Sequence, residues 1–238
     1  TADVTDAAGE TRTGTRSVPI GRNPLSLRLA GPDAADKAQL PPFTLLSTNA
    51  TGALLPAAGT LRLLARRYRP NPPGAPYPAP ETKENEAPAE LVRTLPFDTK
   101  ASPTLALNDA LAQLPTGRYR LEVQAAGPDS AKARLDFTLY DSRAATVPFA
   151  TPDWFVALQD SVAPGQPTDI LLGSSEVGAR ILLEVEREGK LLRQEWLTLN
   201  ANEQRRLRLE SGAATASGPL YIHTTQVRDN RLYRHDAT

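Results

Sequence analysis

The chain has 238 residues, in which 27 Lys plus Arg balance 27 Asp plus Glu, so its formal net charge is zero. Nucleic acids and anionic membrane surfaces both attract an excess of basic residues, and this chain has none. We therefore expect no nucleic-acid partner. No apolar run approaches the ~18 residues of a spanning helix, so we expect no direct membrane insertion either.

Cysteine and methionine are both absent from the sequence. Without cysteine there is no disulfide, no thiolate metal site and no cysteine nucleophile. The missing initiator methionine indicates a piece of a longer protein. The 22 prolines are close to twice average usage, and proline is excluded from helix interiors and central strands. Many short elements separated by turns are typical of an all-β sandwich or barrel.

The first 21 residues predict a hairpin that turns at Asp6–Gly9. It is too short to be a domain, and we interpret it as the last hairpin of a preceding module. Apolar residues then alternate with polar ones along three candidate strands, which is the period of a strand with one buried face. The positions on the predicted inward face are Leu25, Leu27 and Leu29, then Phe43, Leu45 and Ser47, then Leu61, Leu63 and Ala65.

A proline-rich segment spans residues 69–90 and contains almost no aliphatic side chains. Such a segment buries too little surface to offset its ordering entropy, so it predicts an exposed loop. Arg69 and Lys83 make it a candidate protease-sensitive loop. It could also be a bait-like segment or a polyproline ligand for a partner, but a plain insertion is the preferred interpretation.

Residues 105–114 fit either a short helix or a strand followed by a turn, and their position between strand patterns favours the strand. The next 26 residues, 115–140, predict an antiparallel hairpin, because Tyr119, Leu121 and Val123 alternate with polar residues. Gly117 opens its first strand. We expect Tyr119 to pack inward and to bond its hydroxyl to upstream backbone, as in a tyrosine corner.

A junction is predicted within residues 141–153, and new strands follow it. We therefore divide the chain into the hairpin 1–21, a sandwich at 22–142, a linker at 143–150 and a second sandwich at 151–238. Pro164 and Gly165 predict a turn before an early strand of the second sandwich. Glu188 and Gly189 predict the turn of a hairpin that includes Trp196, for which we expect a structural role.

Three groups of residues are candidates for chemical sites. His223 and His235 could bind zinc with Asp229 or Asp236, but a catalytic zinc site usually has three protein ligands. Ser174 lies in Gly-Ser-Ser-Glu-Val, which lacks the second glycine of a nucleophile elbow. The remaining group is the set of acids Glu184, Glu186, Glu188 and Glu195, which we interpret as a solvated face with cross-strand ion pairs. We expect no enzyme activity, metal or cofactor.

Several segments resemble tandem macroglobulin-like β-sandwich domains of bacterial alpha-2-macroglobulin-like proteins. They are "VTDAAGETRTG" (4–14), "LPTGRYRLEVQA" (114–125), "PGQPTDILLGSS" (164–175), "LEVEREGKLLRQEWLTLN" (183–200) and "HTTQVRDNRLYRHDAT" (223–238). The family thioester requires a Cys-Gly-Glu-Gln motif, which this sequence lacks.

The resemblance implies a structural pair of modules in a large protease-trapping protein of the bacterial periplasm or cell surface. Its partners would then be the neighbouring domains of the full-length chain, and proteases. The alternative is an adhesin or a carbohydrate-binding module with the same type of sandwich. That alternative needs an aromatic face, for which Trp196, Tyr221 and Tyr233 are the candidates.

Overall fold

Antiparallel strands form nearly all of the regular structure, which confirms the all-β prediction. The computed structural model describes residues 1–15, 24–66, 89–127, 131–210, 218–228 and 230–238. A first hairpin pairs β1 (Ala2–Thr5) with β2 (Thr11–Gly14). Its turn is the predicted one: Asp6 Oδ1 accepts hydrogen bonds from the backbone N–H groups of Ala8 and Glu10, both at 2.9 Å. The strand residues of this hairpin are all exposed.

Within its described residues, the first sandwich contains seven strands and one helix. They are β3 (Ser26–Ala30), β4 (Ala34–Asp36), β5 (Thr44–Thr48), β6 (Ala58–Arg66), β7 (Ala89–Asp98), α1 (Asn108–Ala112), β8 (Gly117–Ala125) and β9 (Lys132–Tyr140). A two-stranded sheet β3-β5 packs on a five-stranded sheet β4-β9-β8-β6-β7. The core between them includes Phe43, Leu63, Leu121 and Phe137, and the two phenylalanine ring centroids are 4.9 Å apart.

The second sandwich repeats this plan, with seven strands in the part of it that the structure describes. They are β10 (Trp154–Ala157), β11 (Thr168–Ser174), β12 (Ala179–Arg187), β13 (Lys190–Leu199), β14 (Glu203–Leu209), β15 (Tyr221–Arg228) and β16 (Arg231–Ala237). A three-stranded sheet β10-β11-β14 packs on a four-stranded sheet β13-β12-β15-β16. Ile170, Leu172, Ile181 and Leu183 lie in the core between the sheets.

The strand order of the two sandwiches corresponds for most of the described strands. The order β13-β12-β15-β16 matches β7-β6-β8-β9 of the first sandwich, and β10-β11 matches β3-β5. The place of β14 is taken in the first sandwich by extended chain next to β5, where Leu45 N–H donates to Pro103 O at 2.8 Å. One difference is β4, which pairs in parallel with β9. The sequence pattern did not predict this parallel edge strand.

The preference for a strand over residues 105–114 is wrong, because Asn108–Ala112 form the short helix α1. Leu107 and Leu111 are four residues apart and are 1% and 0% exposed. A helical turn brings both side chains to one face, where they close the end of the first core. Tertiary burial thus decides the conformation here. No helix in the described residues is long and apolar enough to cross a membrane.

Candidate functional site

The candidate site is the connection between the two sandwiches, residues 141–153, called here the junction segment. It follows β9 and crosses the outer face of the sheet β10-β11-β14. Tyr140, Val147, Trp154 and Leu171 are all less than a tenth exposed and form one apolar cluster, with Phe149 packed against it. These residues come from the first sandwich, the junction segment and the second sandwich. The junction segment is therefore packed against residues of both sandwiches.

The first sandwich holds the start of the junction segment through β4. Asp36 Oδ1 accepts a hydrogen bond from the backbone N–H of Ser142 at 3.1 Å. Lys37 N–H donates to the carbonyl of Tyr140 at 2.8 Å. Burial, and then the charge of Asp36, raise the pKa of Tyr140 to about 12, so its hydroxyl stays protonated at neutral pH. The chain thus leaves the first sandwich in a defined direction.

Gln204 on β14 holds the middle of the junction segment. Its side-chain Nε2 donates to the carbonyls of Asp141 and Ala144, both at 2.9 Å. Its Oε1 accepts a hydrogen bond from Trp154 Nε1 at 2.8 Å. Its backbone N–H donates to Ala145 O at 2.7 Å. Because Gln204 is only 5% exposed, both amide hydrogens bond carbonyls of the junction segment in a largely dehydrated site, where unpaired polar groups are costly.

Gly173 on β11 allows the junction segment to lie directly on the sheet. A Cβ atom at this position would lie 2.5 Å from Val147 Cγ1 and 2.6 Å from the carbonyl oxygen of Glu203. Both distances are shorter than real contacts, and one partner is backbone. A glycine inside a strand often marks such a close approach. The missing side chain at Gly173 therefore leaves the space that Val147 fills.

Aromatic rings continue the contact from one sandwich to the other. The rings of Tyr140 and Trp154 meet edge to face with centroids 5.6 Å apart, and those of Phe149 and Trp154 do so at 6.1 Å. The guanidinium of Arg118, on β8 of the first sandwich, lies 5.7 Å from the centroid of the Phe149 ring. These geometries are favourable for aromatic pairs and for a cation–π contact. Together with the hydrogen bonds of Gln204, they connect the junction segment to residues of both sandwiches.

The two histidines do not form a zinc site, because they lie on opposite faces of their hairpin. His223 Nδ1 is 2.5 Å from Asp236 Oδ1 on the outer face. His235 Nε2 is 3.0 Å from Asp153 Oδ2 on the inner face. Among the described residues, no group of three or more His, Cys, Asp or Glu side chains is arranged to hold a metal. Asp229 lies outside those residues.

The serine and glutamate candidates also lie in turns, hydrogen bonds and ion pairs of the fold. Ser174 is 0% exposed, and its Oγ accepts a hydrogen bond from Glu176 N–H at 3.1 Å. Glu188 and Gly189 form the predicted hairpin turn with φ of 49° and 73°. Glu184 accepts a hydrogen bond from Gln194 Nε2 at 2.8 Å. Glu195 pairs with Arg193 on its own strand, at 2.5 Å, where the sequence had suggested cross-strand partners.

The turn before β8 and the turn at Pro164 and Gly165 are each stabilised by a local hydrogen bond. The hydroxyl of Tyr119 donates to Pro115 O at 2.8 Å, two residues before Gly117 opens β8. Tyr119 is 3% exposed, and burial raises its pKa. Gln166 N–H donates to Ala163 O at 2.9 Å across Pro164 and Gly165, with φ of 76° at the glycine. This is the arrangement of a type II turn.

Trp196 lies on the outer face of the second sandwich and is 59% exposed. Its role is therefore not core packing. The guanidinium of Arg180 lies 5.0 Å from its ring centroid. Tyr221 shares the outer face, but Tyr233 pairs with the buried Gln226 on the inner face. The three residues thus do not form one aromatic face. Arg69 and Lys83 lie outside the described residues.

Sequence reasoning missed Gln204 and had only a weak indication of Gly173. Gln204, Arg206 and Arg208 share one face of β14, and this pattern predicts exposure. Only the crossing of the junction segment buries Gln204. Gly173 interrupts the apolar run of β11, and a glycine within a strand is a general sign of close packing. The sequence thus indicates a close approach at Gly173, but it does not identify Val147 as the partner.

Comparisons with known proteins found similar structures but no similar sequences: no family model and no curated protein matches the chain. Native Escherichia coli alpha-2-macroglobulin matches with a TM-score of 0.31 and 14% identity, over 99% of this chain and 16% of that one. The elastase-activated form matches with 0.30 and 13%, over 99% and 25%. A tetra-tandem repeat from the extending region of a large adhesion protein matches with 0.29 and 12%, over 99% and 54%. The chain thus spans less than two thirds of each.

Proposed function

We propose that this chain is a structural pair of modules, in which the junction segment fixes one β-sandwich relative to the other. The pair would be part of a large alpha-2-macroglobulin-like protein of the bacterial periplasm or cell surface, and would serve as scaffold for protease trapping. The sequence segments quoted above support the family. The single observation that carries the architectural role is the enclosure of Gln204 by Asp141, Ala144 and Trp154.

A packed junction suits a scaffold better than a flexible tether does. A flexible linker samples many directions, so force or position is transmitted poorly from one domain to the next. Here the junction segment contributes Val147 and Phe149 to an apolar cluster and two carbonyls to Gln204. Every contact that orders the segment also limits the relative motion of the sandwiches. Adjacent domains move relative to each other by default, and packing between them is what restricts that motion.

Catalysis is not part of the proposal. The residues whose side chains could act in catalysis have structural contacts instead. Ser174 is buried, and His223 and His235 each contact one carboxylate. We propose no cofactor and no nucleic-acid partner. The partners would be neighbouring domains of the same protein and, through the whole assembly, proteases.

Residual dipolar couplings of the two sandwiches test the rigid junction. We expect one alignment tensor to fit backbone couplings from both sandwiches in the native chain. In Gln204→Leu we expect two tensors of different magnitude, because the sandwiches then reorient partly independently. Gln194→Leu is the matched control, since Gln194 is exposed and bonds only Glu184 in the described contacts. Two unequal tensors in the native chain would contradict the proposal.

The adhesin alternative is compatible with the same rigid junction, but its carbohydrate-binding form has little support. Arg180 lies over the ring of Trp196, and Tyr233 is on the other face. We therefore retain the alternative as an extended spacer of an adhesin. A trapping assay on the full-length protein separates the two: a trapping protein protects large substrates from a bound protease, and an adhesin spacer leaves proteolysis unchanged.

A further inference from the structure

Gln226 is a buried polar side chain in the second sandwich whose carboxamide is not satisfied by the protein. It lies on β15, where Ile222, Thr224 and Gln226 face inward, and it is 4% exposed. Within the described part of the chain, neither its Oε1 nor its Nε2 has a hydrogen-bond partner. A buried amide without partners is strongly destabilising, so native proteins rarely retain one unless a small bound molecule supplies the bonds.

The side chain borders a small cavity of about 10 Å³ at one end of the second core. Leu172 and Ile181 provide apolar walls, and the polar residues of the lining include Asp153, Thr224, Tyr233 and His235. Asp153 is the last residue of the junction segment, and its carboxylate is 3.0 Å from His235 Nε2. The cavity therefore lies where the junction segment enters the second sandwich.

The chemistry of Gln226 and the size of the cavity together select the occupant. A carboxamide needs both a donor for its oxygen and an acceptor for its N–H groups. A cation would satisfy only the oxygen, and an anion would satisfy only the nitrogen. A water molecule does both, and about 10–15 Å³ is the space that one water needs.

We propose that this cavity holds one internal water molecule, hydrogen-bonded to Gln226. The polar lining offers this water further partners in Thr224 and in the Asp153–His235 pair. Internal waters typically make about three such bonds and are retained because the groups they satisfy would otherwise be unpaired. The water then links β15 to the end of the junction segment, on the opposite side of β10 from Gln204.

Two NMR measurements test this proposal. In the native chain, the side-chain amide protons of Gln226 should show a rotating-frame Overhauser cross-peak to water that resides for longer than rotational tumbling. Oxygen-17 relaxation dispersion should lose the amplitude of one long-lived water in Gln226→Met. The exposed Gln194→Met is the control and should keep the native amplitude. No cross-peak in the native chain, or an unchanged amplitude in Gln226→Met, would overturn the proposal.

Urea unfolding supplies a second criterion, which distinguishes a hydrated amide from a truly unpaired one. If water satisfies Gln226, Gln226→Met loses those bonds and its unfolding midpoint falls or stays at the native value. If the amide were unpaired, methionine would remove its desolvation cost and raise the midpoint. A raised midpoint together with an unchanged relaxation amplitude would therefore reject the water. The cross-peak in the native chain keeps the test decisive even if the variant does not fold.

Discussion

Replacing Gln204 by leucine removes the polar centre of the junction but keeps a side chain of similar size. Three hydrogen bonds are lost: those to Asp141 O and Ala144 O, and the one from Trp154 Nε1. A net value of about 1 kcal/mol for each buried bond gives a destabilisation of about 3 kcal/mol. The Trp154 N–H and the two carbonyls remain in a dehydrated site, so they are not compensated by the leucine.

Fluorescence can follow this change at the junction itself. The chain has two tryptophans, and Trp196→Phe removes the exposed one, which leaves Trp154 as the reporter. Trp154 is 7% exposed, so its emission should be blue-shifted in the native state and should move to longer wavelength in Gln204→Leu. With a urea m-value of about 1–3 kcal/mol/M, the midpoint for the second sandwich should fall by about 1–3 M.

The control is an exposed glutamine of the same sandwich. Gln194→Leu removes one exposed hydrogen bond to Glu184, and surface changes of this type stay within about 0.5 kcal/mol. If Gln204→Leu also changes the unfolding free energy by less than about 0.5 kcal/mol, and the emission of Trp154 does not move, then Gln204 does not hold the junction. The reasoning from its buried hydrogen bonds would then be wrong.

Four further predictions follow from local contacts. Gly173→Ala should destabilise the chain by about 2 kcal/mol or more in urea, because its new methyl meets atoms at 2.5 and 2.6 Å; an unchanged midpoint would disprove the close packing. Tyr119→Phe should cost about 1–2 kcal/mol, since it loses the bond to Pro115 O, and equal midpoints would refute the corner. A fragment 141–238 should show a dispersed NMR spectrum and a higher melting temperature than 148–238, which lacks the chain that bonds Gln204; equal temperatures would show that this chain contributes nothing. Burial raises the pKa of Asp136, but the bond from Arg120 and the nearby arginine charges outweigh it and lower the pKa. The stabilisation by Asp136 should thus be complete above the unfolded pKa of about 3.9 and should decline below it. An identical loss of stability with acid in Asp136→Asn would count against this.

The hairpins were predictable from the sequence because each depends on local features. Period-two alternation identifies the inward faces of β8 and β9, and both strands pair as expected. The turn at Glu188 and Gly189 requires positive φ at both residues, as observed. Asn230 likewise has a φ of 58° in the turn before β16. In each case neighbouring residues carry all the information, so no distant contact is needed to make the prediction.

The wrong or missing predictions concern residues whose state depends on distant chain. Leu107 and Leu111 form a helical turn because the end of the first core has space for both, which the pattern of residues 105–114 does not show. The parallel pairing of β4 with β9 joins residues about a hundred positions apart in sequence. The boundaries of the domains at 22–142 and 151–238 remain predictions, and the two fragments above test the second one.

The sequence alone determined that the chain is an all-β protein and which side of most strands is apolar, because side chains alternate with the backbone. It did not determine which polar faces are covered by other parts of the chain. Gln204 lies in line with Arg206 and Arg208, and nothing in that pattern distinguishes the residue that becomes buried. The tertiary structure makes the distinction: the junction segment crosses β14 at Gln204, against the space left by Gly173. Burial is a property of the path of the whole chain, whereas alternation is a property of a few adjacent residues.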